Sequence, residues 1–576
     1  MSLITRATKV TLDDHGALTL RPTDYITQGG EGAIYRNGQY IIKLYLDAQK
    51  MQQDDMVKKV RLLATSLKHS SIVAPQGIVS DTGGKPIGYY MPFVSGEAYP
   101  RIFTNDWRTQ NNFNLQSTIC LTAKMHEVVA YAHDQKALMV DANELNWIAD
   151  VSNASDPVPY VIDVDSWQIE RFKASVIMPS IRDWHSVINE ASDWFAWGVV
   201  TFLLYTGIHP YRGKLDGYKP GEMERRMKNN ASVFLPEVKL NKAVRDFRTI
   251  PGPLLDWYKA VFTDGERSIP PSPLQVGQAR TAVGRILRTV TTATGGLIYE
   301  KLFELLGDEV KSVWPCGIMR MNSGSLINLS TKREIGQVSG SRVAVTSHNS
   351  GWLVVEEIGG DWHWRNIDQK GLETKLSVPL EINSVVRSNE RLFVANDTEL
   401  VEMSLHQFSK PVLTIGKRWQ ILGKSTKWFQ GVGVSDIMGA MHLIAPYGDD
   451  AVAMVRTPEL DGIKAINAIA GNRFVEVITI NPKGEYEAKS FSFDSDWRKY
   501  DCSVRIFDGP EQNLSALPKG VTASIAQDGE LVITVPSRGE QKIVSDKDLA
   551  TDMRLTRIGN QVTYLKDGAL WSLRMQ

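Results

Sequence analysis

The stretch Leu138-Met139-Val140-Asp141-Ala142-Asn143-Glu144-Leu145-Asn146 sets an aspartate and an asparagine five residues apart. It follows a helical pattern running from Leu115 to His133. Next comes Tyr160-Val161-Ile162-Asp163-Val164-Asp165-Ser166-Trp167, an apolar strand that ends in two acids. A carboxylate at a strand terminus beside a carboxamide makes a hard-oxygen site suited to magnesium. Taken singly, each segment also fits a cap or a surface turn. Upstream, Thr27-Gln28-Gly29-Gly30-Glu31-Gly32 follows an alternating stretch from Ala17 to Leu20. Glycines there let backbone amides approach an anionic ligand that a Cβ would keep away. Tyr35-Arg36-Asn37-Gly38-Gln39-Tyr40 reads as a two-residue hairpin, with Asn-Gly as a type I′ turn. Its return strand, Tyr40-Ile41-Ile42-Lys43-Leu44, carries one lysine among apolar residues. An unpaired ammonium there is costly, so Lys43 needs an anionic partner.

Further along, Ser192-Asp193-Trp194-Phe195-Ala196-Trp197-Gly198-Val199-Val200 is an apolar helix, followed by Tyr205-Thr206-Gly207-Ile208-His209-Pro210-Tyr211. Phe262-Thr263-Asp264-Gly265-Glu266-Arg267 comes later still, and His133 stands eight residues before Asp141. In this order the pieces resemble a eukaryotic-type protein kinase domain over roughly residues 15–283: Gly-rich loop, strand lysine, Asp-x4-Asn loop and strand-end Asp. The resemblance implies that Gly29, Gly30 and Gly32 cover the phosphates of ATP and that Lys43 contacts them. It also implies that Met91-Pro92-Phe93-Val94 is a hinge whose backbone reads adenine, through Met91 and Phe93. Asp141 would orient and deprotonate the attacking hydroxyl, while Asn146 and Asp163 would hold Mg2+. Arg267 would brace the large lobe.

The departures from that pattern are specific. Thr27 stands where the first loop glycine usually lies. Met139-Val140 replaces His-Arg, which removes the arginine that reads activation-loop phosphate. Asp163-Val164-Asp165 replaces Asp-Phe-Gly and resembles a divergent bacterial and phage subgroup with Asp-x-Asp-Ser-aromatic-Gln. Asp163 is the preferred metal ligand because it ends the strand directly; Asp165 is the alternative. Asp55, ahead of Lys58-Lys59-Val60-Arg61-Leu62, is the candidate partner of Lys43. Asp193 reads as structural, accepting backbone hydrogen bonds of the Asp141 loop, and Trp194 and Trp197 read as core. His126 and His133 share a helix but lack a third clustered ligand, so they are not a metal pair.

The bulk numbers exclude rather than identify. The 65 basic and 65 acidic side chains give no net charge, which argues against a nucleic-acid partner. Apolar residues at 43% and charged residues at 23% exclude wholesale disorder. Cys120, Cys316 and Cys502 form neither a disulfide framework nor a zinc motif, which suits a reducing compartment. The apolar run from Ala196 to Ile208 is too short to span a bilayer, and the N-terminus lacks a signal-peptide core; a cytoplasmic protein is expected.

The two halves differ. Helical patterns at Met56 to Leu67, Leu115 to His133, Ser192 to Tyr205, Pro253 to Phe262 and Pro273 to Thr289 occupy the first. After Trp314, short alternating runs begin near Arg342, Arg391, Met441, Arg473, Leu531 and Val562. Their spacing averages about 44 residues, the length of one four-stranded propeller blade. A strand pair at Ile318 to Leu329 would complete the ring with the C-terminal strands. Two stacked β-sandwiches are the alternative. The expected organisation is an α+β bilobal kinase-like fold, small lobe 1–94 and large lobe 95–290. A linker and helix follow at 291–312 (helix Leu297 to Leu306), then an all-β propeller of six to seven blades at 313–576. The expected function is an ATP- and Mg2+-dependent serine/threonine kinase-like phosphotransferase whose propeller recruits a protein substrate or partner. A pseudokinase scaffold and a small-molecule kinase are the competing readings.

Overall fold

The computed structural model describes residues 4–575, apart from 53, 175–176, 242, 275–295, 349, 409, 449, 508, 511–512, 519, 527–528 and 536–539. The expected helix from Pro273 to Thr289 falls almost wholly on 275–295 and so lies outside the described residues.

A seven-stranded sheet opens the chain, every neighbouring pair antiparallel. Its order is Gly16–Leu20, Thr8–Leu12, Gly77–Ser80, Pro86–Pro92, Tyr40–Tyr45, Gly32–Asn37 and Tyr25–Gln28. Tyr40–Tyr45 is apolar without alternation because both its faces are covered. One face joins Val10, Leu20, Tyr25, Tyr35 and Ile42. The other packs Tyr45 and Tyr89 against Val60 of the helix Asp54–Ser66. The hairpin register pairs Asn37 with Tyr40, which leaves Gly38-Gln39 as the turn. Positive φ occurs at Gly38 (59°) and not at Gln39, the type II′ pattern in place of the expected I′.

The helical region that follows is organised by two long helices, Leu115–Asp134 and Glu190–Thr206. Both start with an asparagine cap reciprocated by a serine, Asn114 with Ser117 and Asn189 with Ser192. Glu190–Thr206 is buried continuously from Ser192 to Thr206, as its all-round apolar sequence requires, and Gly207 (φ 78°) ends it. Trp194, Trp197 and Phe202 form one core with Trp257, Tyr258 and Phe262. Arg267 braces this core through two hydrogen bonds to Asp183, at 2.6 and 2.7 Å.

From Leu297 onward the described residues are mostly β, arranged as seven four-stranded antiparallel sheets. Six are built from consecutive strands. In the seventh, Leu297–Phe303 pairs with the last strand, Ala569–Met575, which continues to Gln561–Lys566 and Arg554–Ile558. The helix expected from Leu297 to Leu306 is therefore a strand. Its short run of apolar residues around Glu300-Lys301 fits either period, and pairing with a strand more than 250 positions away decides it. That pairing also corrects the role expected for Ile318 to Leu329, whose strands sit in a sheet of their own from Val310–Val313 to Arg333–Gln337. All six expected strand starts are strands, but they mark different positions within their sheets. Val343–His348 opens its sheet, Arg391–Ala395 and Phe474–Ile480 are second, and Ala440–Tyr447 and Leu531–Val535 are third. The uneven intervals follow from that drift in phase.

Candidate active site

Period-two geometry puts Lys43 and Tyr45 on one face of their strand. The register Lys43↔Tyr89 brings Tyr89 onto the same face from the neighbouring strand. All three meet the turn after Val158–Val161. Lys43 Nζ lies 2.8 Å from Asp163 Oδ1 and 2.9 Å from both carboxylate oxygens of Asp165. The Tyr45 hydroxyl donates to Asp165 Oδ2 at 2.5 Å, and the Tyr89 hydroxyl to Oδ1 at 2.6 Å. Lys59 Nζ, from the helix Asp54–Ser66, donates to the Asp165 carbonyl at 2.7 Å. Burial opposes ionisation of Asp165, yet the Lys43 charge and the two tyrosine donors hold its carboxyl well below the usual range. The same carboxylates raise Lys43 above its ordinary value against burial.

The two acids of the Asp-x-Asp segment are thus in different surroundings. The Asp165 side chain is 1% exposed, while that of Asp163 is 41% exposed. Asp163 takes a left-handed backbone (φ 59°) and starts the one-turn helix Val164–Ser166. Asp55 does not meet Lys43; its carboxylate accepts from Arg171 at 3.1 Å on the surface. The expected lysine partner is thereby corrected. The Asp55 side chain points to solvent, and a later turn of the helix Asp54–Ser66 brings the cation Lys59 toward the site.

Asp141 sits across the cleft in a loop held from below. Asp193 accepts from the backbone N–H of Met139 and of Val140, both at 2.8 Å, and pairs with His133 Nε2 at 3.0 Å. This is the structural role expected of Asp193. Val140 is forced to φ 58°, a conformation costly for a β-branched residue and maintained by that clamp. Asn146 Nδ2 donates to the Asp141 carbonyl at 2.8 Å, which fixes the carboxamide and leaves its oxygen as the remaining acceptor. Asp141 Oδ1 accepts the Met178 N–H at 2.8 Å. Burial raises the Asp141 carboxyl to about 6, with the nearby Asp163 charge adding to the shift. A hard-oxygen pair of Asn146 and Asp163 suits Mg2+, which keeps several waters and needs few protein ligands when it arrives with phosphates. No cluster of three His, Cys, Asp or Glu residues suited to a metal occurs among the described residues.

Gly29 and Gly30 are exposed at the tip of the hairpin between Tyr25–Gln28 and Gly32–Asn37, and Gly29 N–H bonds to Gly32 O at 2.9 Å. Gly32 is buried against the stem of Lys43; a Cβ there would lie 3.1 Å from Lys43 Cγ. Met91 is buried opposite Ile41. The Phe93 N–H donates to Gln39 O at 2.8 Å, so that amide is already engaged and a ligand along this segment would meet other backbone groups. His126 Nε2 lies 3.1 Å from Pro270 O, apart from any metal set.

Sequence reasoning missed Tyr45 and Tyr89, whose signal was the two-residue spacing from Lys43 and an unseen register. It also missed the contacts of the β half. Asp436 accepts from the Tyr25 hydroxyl (3.0 Å), Thr27 Oγ1 (3.0 Å) and Gln28 N–H (3.1 Å), at the base of the glycine-rich turn. Met438 packs on the sheet core behind that turn. On the other side of the cleft, Leu145 packs against Ile466, Ile480 and Tyr486. There Gly484 abuts Ser180, and Glu485 lies 3.6 Å from Arg212 in a buried pair. Glu144, buried facing Tyr486, is pushed up to about 7 by burial.

No family model matches the chain, and no curated protein matches it. Among solved structures it is similar to the autoinhibited serine kinase domain of the giant muscle protein titin, at 16% identity and a TM-score of 0.34. The match covers 49% of this chain and 84% of that one. At that TM-score the likeness carries no functional weight. Among the described residues no helix is long and apolar enough to cross a membrane.

Proposed function

We propose that the chain is an ATP- and Mg2+-dependent phosphotransferase of the serine/threonine protein kinase type, with lobes at 1–94 and 95–290. The reading is carried by one observation: Lys43 is ion-paired to Asp163, and Asn146 is bonded to the Asp141 loop. This supports a cleft with a cation for phosphates on one wall and a base with two oxygen ligands on the other. Lys43 holds the α- and β-phosphates of ATP, beneath Gly29, Gly30 and Gly32. Asn146 and Asp163 would hold Mg2+, which would supply positive charge against the phosphate oxygens. Asp141 accepts the proton of the acceptor hydroxyl as its oxygen bonds to the γ-phosphorus. The bond from that phosphorus to the β–γ bridging oxygen breaks, and ADP leaves with the electron pair. A carboxyl near 6 is ionised at neutral pH and competent for that step.

The seven sheets support a seven-bladed β-propeller that begins at Leu297 and is closed by its pairing with Ala569–Met575. Its strand end at Asp436 and its turn at Gly484 are committed to the N-terminal half, which leaves its other surfaces to recruit a protein partner. A second reading, a nucleotide-binding scaffold without transfer, draws support from the Met178 N–H bound to Asp141 and the Gly484 turn against Ser180. Labelled ATP with Mg2+, on wild type and Asp141→Ala, separates the readings when autophosphorylation and nucleotide-induced thermal shift are followed together. Wild-type labelling lost in the variant supports the enzyme. A thermal shift without labelling supports the scaffold, and turnover only on an added metabolite supports a small-molecule kinase. Neither signal in the wild type removes the proposal.

A further inference from the structure

Asp165 is the most heavily bonded carboxylate of the cleft. Its Oδ1 accepts from Lys43 Nζ at 2.9 Å and from the Tyr89 hydroxyl at 2.6 Å. Its Oδ2 accepts from Lys43 Nζ at 2.9 Å and from the Tyr45 hydroxyl at 2.5 Å. Two donors on each oxygen fill the four acceptor positions of a carboxylate. With its side chain 1% exposed, Asp165 has neither a free lone pair nor a route by which a hydrated cation could reach it. Asp163 differs on both counts: its side chain is 41% exposed, and Lys43 engages Oδ1.

We infer that Asp165, clamped by the hydroxyls of Tyr45 and Tyr89, is the residue that positions Lys43, and that it is not a metal ligand. The inference rests on the phosphotransferase reading for the purpose of Lys43, but not for its geometry. Among the described side chains of the helix Asp54–Ser66, none supplies an acid to Lys43, since Asp55 turns to Arg171 and Lys59 reaches the Asp165 carbonyl. The anchor comes instead from the segment after the strand Val158–Val161, and the tyrosines that grip it belong to the same sheet as Lys43. Lysine, anchor and clamp are therefore joined by direct hydrogen bonds. Lys43 stays in place through contacts inside the sheet and the Asp163–Ser166 turn, without a swing of the helix to complete its ion pair. A cation arriving with phosphates engages Asp163 and leaves the Asp165 contacts intact.

Two readouts on the full chain test this, using Asp165→Asn, the double variant Tyr45→Phe/Tyr89→Phe, and Asp163→Asn. The first needs no nucleotide: acetylation of Lys43 by acetic anhydride, followed by mass spectrometry. Loss of the anchor frees the neutral amine, so Asp165→Asn raises the Lys43 rate by about tenfold or more, one pKa unit being a factor of ten. The tyrosine double variant shifts it in the same direction by less. The second is ATP affinity measured in EDTA and across a Mg2+ titration. Asp165→Asn and the tyrosine variant weaken ATP by about tenfold with and without Mg2+, about 1.4 kcal/mol, and leave the Mg2+ midpoint unchanged. Asp163→Asn moves the Mg2+ midpoint upward. An unchanged Lys43 rate in both anchor variants overturns the inference. So does a raised Mg2+ midpoint with unchanged affinity in EDTA, which would make Asp165 a ligand. If Asp165→Asn fails to fold, the tyrosine variant decides the point in its place. A wild type that binds no ATP overturns the phosphotransferase reading, while the acetylation rates still decide the anchor.

Discussion

The Tyr25 hydroxyl donates to Asp436 at 3.0 Å across 411 residues of sequence, and the same carboxylate takes Thr27, Gln28 and Gly439. One buried acid thus ties the strand leading into the glycine-rich turn to the β half. Asp436→Ala leaves these donors without a partner, at about 1–3 kcal/mol for a buried group. The expected outcome is a lowered urea midpoint and faster proteolysis between the two halves. An unchanged midpoint would mean water replaces the carboxylate there.

Gly484 has φ 77°, and a Cβ on it would lie 2.0 Å from Ser180 Oγ. Gly484→Ala should therefore destabilise the chain by more than the roughly 1–2 kcal/mol of the left-handed backbone alone. Adding Ser180→Gly removes the overlap and should recover the excess, leaving only the backbone part. Thermal melts of the two variants make this a direct test of the packed turn.

Asp193 organises the Asp141 loop from a buried position, through hydrogen bonds from the Met139 and Val140 N–H and a third to His133 of the preceding helix. Asp193→Ala is expected to cost at least about 1–3 kcal/mol, the scale of one buried donor left unsatisfied. Asp193→Asn keeps one acceptor oxygen and should cost about half as much. Denaturant unfolding of both variants gives the comparison.

Asp141 carries a carboxyl raised from 3.8 to about 6 by burial. A raised acid is bound to its proton more tightly when folded, so its ionisation costs stability above pH 6 and nothing below pH 3.8. Asp141→Asn should raise the melting temperature at pH 8, the stability gained being at most about 3 kcal/mol. That gain should shrink as pH falls through 6 and vanish below about 4. Phosphoryl transfer by the wild type should fall over the same range, since the protonated group cannot act as a base.

The strand Ala569–Met575 pairs on one side with Leu297–Phe303 and on the other with Gln561–Lys566. A chain ending at 568 exposes both edges and the apolar surface of Leu297 and Tyr564 that packs with Leu573 in the full chain. It should aggregate or lose cooperative unfolding, measured by light scattering during a thermal melt. Loss confined to local fraying would mean the other six sheets stand without this pairing.

The order of the cleft residues was legible in the sequence because each is a local signal: an Asp-x4-Asn loop, a lysine in an apolar strand, two acids ending another. The helix Glu190–Thr206 was legible for the same reason, its apolar length and its stop at Gly207 being properties of adjacent residues. The strand Leu297–Phe303 was not, since a short run of apolar residues interrupted by Glu300 and Lys301 fits two periods until its partner appears. Nor were the sheets in their true phase, because one strand resembles another until pairing sets its place.

Local chemistry in the chain by itself determined which residue types face the cleft and that a β-rich half follows a helical one. Tertiary structure alone decided which acid serves Lys43. Asp55, Asp163 and Asp165 are equal as letters; burial, the Lys43↔Tyr89 register and two tyrosine hydroxyls make Asp165 the one that is enclosed. It likewise decided that Asp436 and Gly484 belong to both halves of the molecule. Contacts spanning hundreds of residues carry no periodicity, and only the folded path of the backbone brings them within reach.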